Sequence, residues 1–334
     1  MNERADYMRY TKGGIAHMSG VIEADLTDRA TGLQKPHVKG LADLAASMLG
    51  CRSVNTSELL SVLPRQTKDA ESKYRYINRW LKNPLIKPVE VMGGFIPEIA
   101  ALAGADGKTI VLIMDQTKIS DGFECLMISL RVGERAIPVV WTVKETRGAV
   151  GFDAQEPLLD AAFAMTPEGA SVLLAADRFY GGAALVAWCR KRGWKWRIRL
   201  KGNLILRHEG DKITTGEAAK AGMAALHDAE FNETGVSTHI GILHEEGHKE
   251  PWIVAMDEPP NKGRVLDYGM RWAIEPMFSD CKSRGFDVTQ TQIKHPDRIE
   301  RLLLVIAVAL YWAVSTGMAA PQNATKSKKK PPEA

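Results

Sequence analysis

Cysteine, long apolar runs and internal repeats are scarce in this sequence of 334 residues. The four cysteines, Cys51, Cys125, Cys189 and Cys281, are scattered without a C-x-x-C pair. This pattern argues against a disulfide or zinc framework and favours the reduced thiols of a cytoplasmic protein. The N-terminus lacks the apolar segment of a signal peptide. The apolar run at residues 302–314 is shorter than the roughly 20 residues of a membrane span, so we expect a buried helix there.

Composition places the chain among ordinary globular proteins. Hydrophobic residues make up 45% and charged residues 25%, which excludes wholesale disorder and a collagen-like chain. The net charge of +4 is small, but it is unevenly distributed. Residues 190–207 hold eight Lys or Arg and no acid, and the extreme C-terminus adds four lysines, Lys326, Lys328, Lys329 and Lys330. Such basic blocks indicate a polyanionic partner, with a solvated charged surface as the alternative.

The first third of the chain is predicted to be helical. Residues 1–36 show little periodicity and are expected to be irregular, whereas apolar spacing from about 41 to 103 predicts short helices. Ser57 and Asp69 are N-cap candidates. We therefore predict an all-α module at 1–103, and a disordered basic tail at 319–334.

Residues 104–318 change to an α/β pattern. Short apolar runs predict strands at 109–114, 123–131, 136–143 and 171–176, with helices at 155–165 and 182–192. Strict alternation predicts a strand at 195–201, followed by a β-rich insertion at 202–257 and two long helices at 264–282 and 298–316. The fold class is therefore α/β with a mixed sheet.

Two short motifs are rejected. Gly107-Lys108-Thr109 resembles the end of a phosphate-binding loop, but it lacks the earlier glycine and precedes a strand instead of following one. His244 and His248 match the H-E-x-x-H zinc pattern by letters. That chemistry needs a helix, whereas Gly247 and the flanking strand pattern predict a polar turn.

Three acidic residues carry the strongest chemical signal. Asp115 and Asp177 each follow an apolar strand, where ligands bind in open α/β sheets, although such residues also serve as turn formers. Glu275 belongs to a set with Tyr268, Arg271 and Lys282 that falls within an arc of about 60° on a helix. One phenol and two cations around an acid suit a face that holds metal and clamps phosphates. Pro276 predicts a kink or restart in that helix.

The stretch YGMRWAIEPMFSDCK resembles the Tyr–Arg–Glu–Lys signature of bacterial insertion-sequence DDE transposases of the "IS-four" group. LIMDQT and ADRFY resemble the first and second aspartate regions of that family. The resemblance implies a ribonuclease-H-like, retroviral-integrase-like core with a β-rich insertion. It also implies that Asp115, Asp177 and Glu275 bind two Mg²⁺ or Mn²⁺ ions. Two such ions activate a nucleophile and stabilise the leaving oxygen of a phosphodiester, and oxygen ligands suit them.

The resemblance also assigns contacts with DNA near the cleaved end to Tyr268, Arg271 and Lys282. Further contacts are predicted from charge patterns, each with a solvated surface as the alternative. The first pattern is the basic face of the 195–201 strand, comprising Lys195, Arg197, Arg199 and Lys201. The second is a helical stripe of Arg75, Arg79 and Lys82. Some relatives stack an extruded base on an aromatic residue of the insertion, where Trp252 lies, although a core role for this tryptophan is equally compatible.

The sequence therefore predicts a DNA transposase that cuts transposon ends and joins them to target DNA by a two-metal mechanism. Its expected partners are double-stranded DNA and, by resemblance, a second copy in a synaptic dimer, in the bacterial cytoplasm and away from membranes. Two alternatives remain open. One is a nuclease with the same core but no strand transfer, and the other is a non-catalytic DNA-binding protein derived from a transposase.

Overall fold

The computed structural model describes residues 3–30, 32–67, 69–104, 109–244 and 249–319. The predicted basic tail lies outside these ranges apart from its first residue. Residues 105–108 and 245–248 also lie outside them and include part of each rejected motif. Six helices come first: α1 (Glu3–Arg29), α2 (Lys35–Cys51), α3 (Thr56–Val62), α4 (Ala70–Lys82), α5 (Pro88–Gly93) and α6 (Ile96–Gly104).

Helix α1 overturns the expectation of irregular structure before residue 36. Ile15, Ile22 and Leu26 are buried on one face of this helix, at spacings of seven and four residues. The apolar positions are sparse among polar residues, which hides the helical period in the sequence. Asp69 caps α4 as predicted, whereas Asn55, and not Ser57, caps α3 by accepting a hydrogen bond from the Ser57 N–H.

The rest of the described chain alternates strands and helices. The strands are β1 (Ile110–Ser120), β2 (Phe123–Val132), β3 (Arg135–Glu145), β4 (Val172–Ala176), β5 (Lys195–Arg199), β6 (Ile205–His208), β7 (Asp211–Thr214), β8 (Ala225–Phe231), β9 (Ser237–Leu243) and β10 (Trp252–Met256). The helices are α7 (Phe152–Met165), α8 (Ala183–Arg192), α9 (Thr215–Lys220), α10 (Lys262–Leu266), α11 (Ile274–Cys281) and α12 (Pro296–Ala319), with 3₁₀ segments at Asp267–Ala273 and Val288–Gln290.

The ten strands form one mixed sheet in the order β3-β2-β1-β4-β5-β10-β9-β8-β6-β7. β1, β2 and β3 are antiparallel neighbours, while β4 runs parallel to both β1 and β5. The predicted β-rich stretch at 202–257 supplies β6 to β10, and it returns to the centre through β10, which pairs antiparallel with β5. The predicted insertion therefore widens the same sheet instead of forming a separate body.

Helix α12 joins the N-terminal helices to the sheet. It packs against β3 on one side and against α2 and α4 on the other. Its Arg301 donates hydrogen bonds to the backbone oxygens of Leu81 and Ile86. By length and composition this helix could cross a membrane, but 67% of its apolar window is buried in the protein. The structure thus agrees with the predicted buried helix at 302–314.

Candidate active site

Two of the predicted acids lie side by side at the end of a parallel strand pair. The pairing of β1 with β4 ends at Met114 opposite Ala176, so Asp115 and Asp177 are the next residue on each strand. The prediction that Asp115 ends its strand was wrong, because β1 continues to Ser120 and pairs with β2 throughout that stretch. Asp115 lies where β1 loses its β4 neighbour, which opens space at the sheet edge for ligands.

The third acid comes from a segment that was predicted as one long helix and is broken in the structure. α10, the 3₁₀ segment and α11 follow one another between Lys262 and Cys281. Pro276 is the third residue of α11, where a backbone N–H would have no helical partner. The proline therefore fits the first turn of a restarted helix. Arg271 and Glu275, four residues apart, still lie on the same side of this broken segment, and their side chains form an ion pair.

Arg271 connects two of the acids. Its Nη1 lies 2.7 Å from Oδ2 of Asp115, and its Nη2 lies 3.0 Å from Oε1 of Glu275. The Arg271 side chain is only 10% exposed, whereas that of Glu275 is 58% exposed. Burial alone would lower the pKa of Arg271, but Tyr268 and the three carboxylates raise it above its usual value. The guanidinium is thus a fixed positive charge among the acids.

Tyr268 holds the remaining acid. Its hydroxyl donates to Oδ1 of Asp177 at 3.2 Å, and its ring centre lies 5.6 Å from the Arg271 guanidinium carbon. The ring is almost completely buried, and burial raises the pKa of the phenol. Tyr268 therefore stays protonated at neutral pH and acts as a hydrogen-bond donor.

Asp115 is a strongly perturbed carboxyl group. Burial raises its pKa to about 6, against the opposing effects of Arg271 and of the Gln116 backbone N–H, which donates to Oδ1 at 2.8 Å. The charges of Asp177 and Glu275 add to the upward shift of the pKa. The charges of the other two acids thus act on Asp115, and a carboxyl group perturbed in this way is typical of a functional site.

Two further residues support the site and were missed in the sequence. The side-chain oxygen of Gln116 accepts hydrogen bonds from the Val150 N–H at 3.0 Å and from the Tyr180 hydroxyl at 3.3 Å. Burial raises the pKa of Tyr180, and the charges of Asp115 and Asp177 raise it further. Both residues lie within the LIMDQT and ADRFY stretches, so their positions next to the aspartates were the available signal.

The carboxylate oxygens of the three acids suit a divalent cation, although among the described residues they are not grouped at metal-binding geometry. Among the residues that the structure describes, no three His, Cys, Asp or Glu side chains are grouped at metal-binding geometry. A buried carboxylate with a raised pKa, under the charge of two other acids, nevertheless favours positive charge. Oxygen donors of this kind suit Mg²⁺ or Mn²⁺. Arg271 supplies that positive charge in this structure.

Lys282, the last member of the predicted set, lies away from the acids. It follows α11 as its C-cap residue and lines a shallow pocket with Lys118 and Thr289, beyond Asp115 along β1. Among the described residues it has no hydrogen bond or ion pair with the three acids. Its charge instead lowers the pKa of Glu124, a shift that burial of that carboxyl outweighs.

The basic strand face is only partly available to DNA. The prediction that Arg197 faces outward was wrong, because its side chain is 4% exposed and pairs with Asp257 at 2.7 Å. The 3₁₀ segment Asp267–Ala273 packs on β5, and α8 also contacts that strand. Both alternating sets of side chains on β5 therefore meet other parts of the protein, and the charged set is not simply exposed to solvent. Lys195 lies 3.7 Å from Glu258 beside this buried pair.

Arg199 and Lys201 instead line a cleft at the far end of the strand. On α4 the structure agrees only with the predicted exposure of the basic stripe, while its contact with DNA stays a prediction; Tyr74, expected on the buried side, is 45% exposed. Arg75, Arg79 and Lys82 are exposed on α4, whereas Ile77 and Leu81 on its opposite side are buried.

Trp252 occupies a core position beside the site. It is 8% exposed and packs edge-to-face on Tyr268 and Trp272, with ring centres 5.4 and 5.3 Å away. This favours the core role over base stacking. The ring supports Tyr268, the donor to Asp177.

Comparison with known families agrees with the geometry. Residues 150–312 match the family model of the transposase DDE domain, a little under half of the chain. The match includes Asp177, Tyr268, Arg271 and Glu275, and it begins after Asp115. No curated protein matches the chain. The match supports an enzyme of DNA transposition and recombination.

Proposed function

We propose that this chain is a DNA transposase that cuts transposon ends and joins the released 3′ ends to target DNA. The observation that carries the proposal is the meeting of Asp115, Asp177 and Glu275 with Arg271 and Tyr268 at the end of the β1–β4 pair. These residues come from three separate parts of the chain. Four of the five lie in the stretch that matches the transposase domain.

The sheet supports a ribonuclease-H-like core of the "IS-four" type. Three antiparallel strands are followed in space by two strands parallel to the first, with helices packed on the sheet. Under this proposal, residues 104–318 form the catalytic domain with its β insertion, and residues 1–103 form a helical DNA-binding module. The basic residues at 319–334 would add a charged tail.

Asp115, Asp177 and Glu275 would hold two Mg²⁺ or Mn²⁺ ions. Such ions lower the pKa of a bound water or 3′-hydroxyl and neutralise charge on the leaving oxygen. Asp115 and Asp177 are carried by paired strands and offer a rigid position, whereas Glu275 belongs to a short helix. Tyr268 orients Asp177 through its hydroxyl hydrogen bond.

Arg271 has a second role once metal is bound. A guanidinium binds phosphate oxygens through two parallel hydrogen bonds, as it does carboxylates. Since metal and Arg271 would neutralise the same carboxylates, a bound metal would leave the guanidinium available to the DNA backbone. Lys282 would contact DNA further along β1. The partner is double-stranded DNA in the cytoplasm, and pairing of two ends implies a synaptic dimer.

The decisive experiment is a cleavage and joining assay with the full chain. Linear DNA carrying the sequences that flank the gene is incubated with Mg²⁺ or Mn²⁺ and the wild type, Asp115→Asn or Asp211→Asn. Asp211 is an exposed residue of β7 at the opposite edge of the sheet and serves as the matched control. Metal-dependent cleavage and joined product, both lost in Asp115→Asn alone, are expected.

Two other outcomes point to the alternative functions. Cleavage without a joined product would indicate a nuclease with the same core. Binding to the ends without metal-dependent chemistry in any variant would indicate a non-catalytic DNA-binding protein.

A further inference from the structure

The backbone pairing that brings the two aspartates together stops just before them. The ladder between β1 and β4 ends at Met114 opposite Ala176. Asp115 is still paired with β2, whereas Asp177 begins the turn that leads to α8. Backbone hydrogen bonds between β1 and β4 therefore no longer set the separation of the two carboxylates, and contacts beyond the strand pair have to do so.

Tyr180 and Gln116 connect the two parts of the chain immediately past this point. The Tyr180 hydroxyl donates a hydrogen bond to Oε1 of Gln116 at 3.3 Å, and its backbone N–H donates to the backbone oxygen of Asp177 at 3.0 Å. The Gln116 backbone N–H in turn donates to Oδ1 of Asp115 at 2.8 Å. A chain of three hydrogen bonds thus runs from Asp115 to Asp177 through Gln116 and Tyr180.

Tyr180 can act only as a donor in this chain of hydrogen bonds. Its side chain is buried, and burial raises the pKa of the phenol, which the charges of Asp115 and Asp177 raise further. The phenol therefore keeps its proton at neutral pH. A buried hydroxyl needs an acceptor for that proton, and Gln116 provides it.

The Gln116 carboxamide is held in one orientation by its other partners. Its Oε1 also accepts from the Val150 N–H at 3.0 Å, while its Nε2 donates to the backbone oxygen of Gly148 at 3.3 Å. Nε2 also lies 3.4 Å from Oε2 of Glu124. A reversed amide would turn its nitrogen towards two donors and its oxygen towards two acceptors. The turn between β3 and α7 therefore fixes the oxygen that receives Tyr180.

This turn is itself attached to the rest of the domain at both ends. The Val150 backbone oxygen accepts a hydrogen bond at 2.7 Å from Nε2 of Gln155, a buried residue of α7. At the other end, the Thr146 N–H donates to the backbone oxygen of Gly122 at 2.9 Å. A buried polar network whose members are paired in this way is rigid, so the support behind Gln116 is fixed.

We propose that Gln116 and Tyr180 are positioning residues that set the separation of Asp115 and Asp177 for the binding of divalent metal. This inference rests on the proposed function, because it takes the two aspartates as metal ligands. Carboxylates that hold two ions about 3.5–4 Å apart have to be placed to within about 0.5 Å. Gln116 and Tyr180 contact neither metal nor DNA in this role and act only through the aspartates.

Metal binding without catalysis tests this role. The full chain is titrated with Mn²⁺ in the absence of DNA, and free Mn²⁺ is measured by electron paramagnetic resonance. Tyr180→Phe keeps the ring and removes only the hydroxyl, whereas Gln116→Met removes the acceptor. Each should weaken the apparent Mn²⁺ affinity by about 10- to 100-fold, the usual effect of losing a contact that orients a metal ligand. The double variant should bind no more weakly than Gln116→Met, because both changes break the same connection.

Gln155→Met is the matched control for a merely structural role. It also removes a glutamine that holds the turn at Val150, but it leaves the hydrogen bond between Gln116 and Tyr180 in place. This variant should melt at a lower temperature than the wild type and yet bind Mn²⁺ with the same affinity. An equal loss of Mn²⁺ affinity in Gln155→Met would overturn the proposal, as would wild-type affinity in Tyr180→Phe and Gln116→Met.

Asp115→Asn distinguishes failure of this inference from failure of the proposed function. If Asp115→Asn loses Mn²⁺ binding while Tyr180→Phe and Gln116→Met retain it in full, the metal site stands and only the positioning role is wrong. If Asp115→Asn binds Mn²⁺ like the wild type, or the wild type binds none, the metal site itself is wrong and the positioning role fails with it.

Discussion

At the scale of single residues, Arg271 provides the positive charge that balances the acids of the candidate site. A buried ion pair adds little net stability, but removal of one partner leaves an uncompensated charge and costs about 3–5 kcal/mol. Arg271 has carboxylate partners on two sides, Asp115 and Glu275. The acids that the proposed chemistry requires would therefore repel one another if this guanidinium were absent.

Arg271→Gln should destabilise the metal-free protein by about 3 kcal/mol, because Asp115, Asp177 and Glu275 then share a site without a cation. Ca²⁺ should restore much of this loss by binding the same carboxylates. The measurement is thermal denaturation in EDTA and in Ca²⁺.

Arg197→Gln is the matched control, since Arg197 is also buried and paired with an acid, Asp257, outside the candidate site. It should be destabilised without being rescued by Ca²⁺. Equal effects of Ca²⁺ on both variants would contradict the assignment of the metal site.

Residue types and spacing in the sequence selected five residues that meet at the site, but the same pattern also selected Lys282, which does not join them. Asp115, Asp177, Tyr268, Arg271 and Glu275 were chosen from strand ends and from a four-residue pattern, and the structure brings them together. Arg197 shows where such reasoning fails. Alternation along a strand cannot reveal that a later segment, Asp267–Ala273, covers the polar face as well.

At the scale of elements, α12 covers the edge of the sheet. β3 is an edge strand, and the Glu300 carboxylate accepts hydrogen bonds from the Val143 N–H at 2.8 Å and from the Thr142 hydroxyl at 3.2 Å. The Glu300 backbone oxygen also accepts from the Trp141 indole. The helix thereby satisfies one backbone group of the edge strand, the Val143 N–H, which would otherwise be open to pairing with another strand.

Glu300→Gln should be at least as stable as the wild type at pH 7. Burial raises the pKa of Glu300 in the folded state above its usual value. Stability from this group is therefore complete below the unfolded pKa of about 4.3 and is lost as the pH rises through the folded pKa. The neutral amide keeps an acceptor for Val143 without the cost of a buried charge.

Denaturant unfolding at pH 7 and pH 4 provides the measurement, and the advantage of Glu300→Gln should disappear at the lower pH. Glu300→Ala should lose about 1–3 kcal/mol at both pH values, because the Val143 N–H is left without its acceptor. A Glu300→Gln variant as unstable as Glu300→Ala would show that the charge itself is required.

Helices and strands differed in how well the sequence predicted them. The apolar strands β1 to β4 were located within a few residues, apart from the C-terminal extension of β1, because each has a clear apolar pattern and distinct ends. The N-cap prediction at Asp69 likewise marked the start of helix α4. The region from Lys262 to Cys281 has helical spacing throughout, yet it folds as three segments. Pro276 correctly predicted that a helix restarts there, whereas the helical spacing of residues alone wrongly predicted one continuous helix.

At the scale of the whole molecule, one hydrophobic core extends from α1 to α12. Arg301 is 7% exposed and links α12 to the backbone oxygens of Leu81, in the last turn of α4, and of Ile86, which follows α4. Arg301→Ala should therefore weaken the N-terminal helices and the sheet together, by about 1–3 kcal/mol for the buried carbonyls left unpaired. Hydrogen exchange read by mass spectrometry should rise in both α4 and β3. A rise confined to residues 70–104 would indicate an independently folding module.

The exposed stripe on α4 should determine much of the affinity for duplex DNA. Replacement of Arg75, Arg79 and Lys82 by Gln should lower affinity on all sequences. It should reduce the salt slope by up to about 2.7, because each phosphate contact on duplex contributes about 0.9. Filter binding across a salt series is the measurement.

A triple variant of Lys87, Lys144 and Lys212 removes the same charge from exposed positions elsewhere. An equal effect of this control would mean that net charge, and not the α4 surface, attracts the duplex.

The strand order suggests that strands at the β7 side of the sheet could be added or removed without moving the candidate site. After β5 the chain forms β6 to β9 at one side of the sheet and returns as β10 beside β5, so the outermost strand there, β7, pairs on one side only. Strands could be gained, shortened or lost there over generations of copying without shifting β1 and β4, which carry the aspartates. The number of residues between Asp177 and Glu275 can therefore change while the positions of Asp115 and Asp177 in the sheet stay the same.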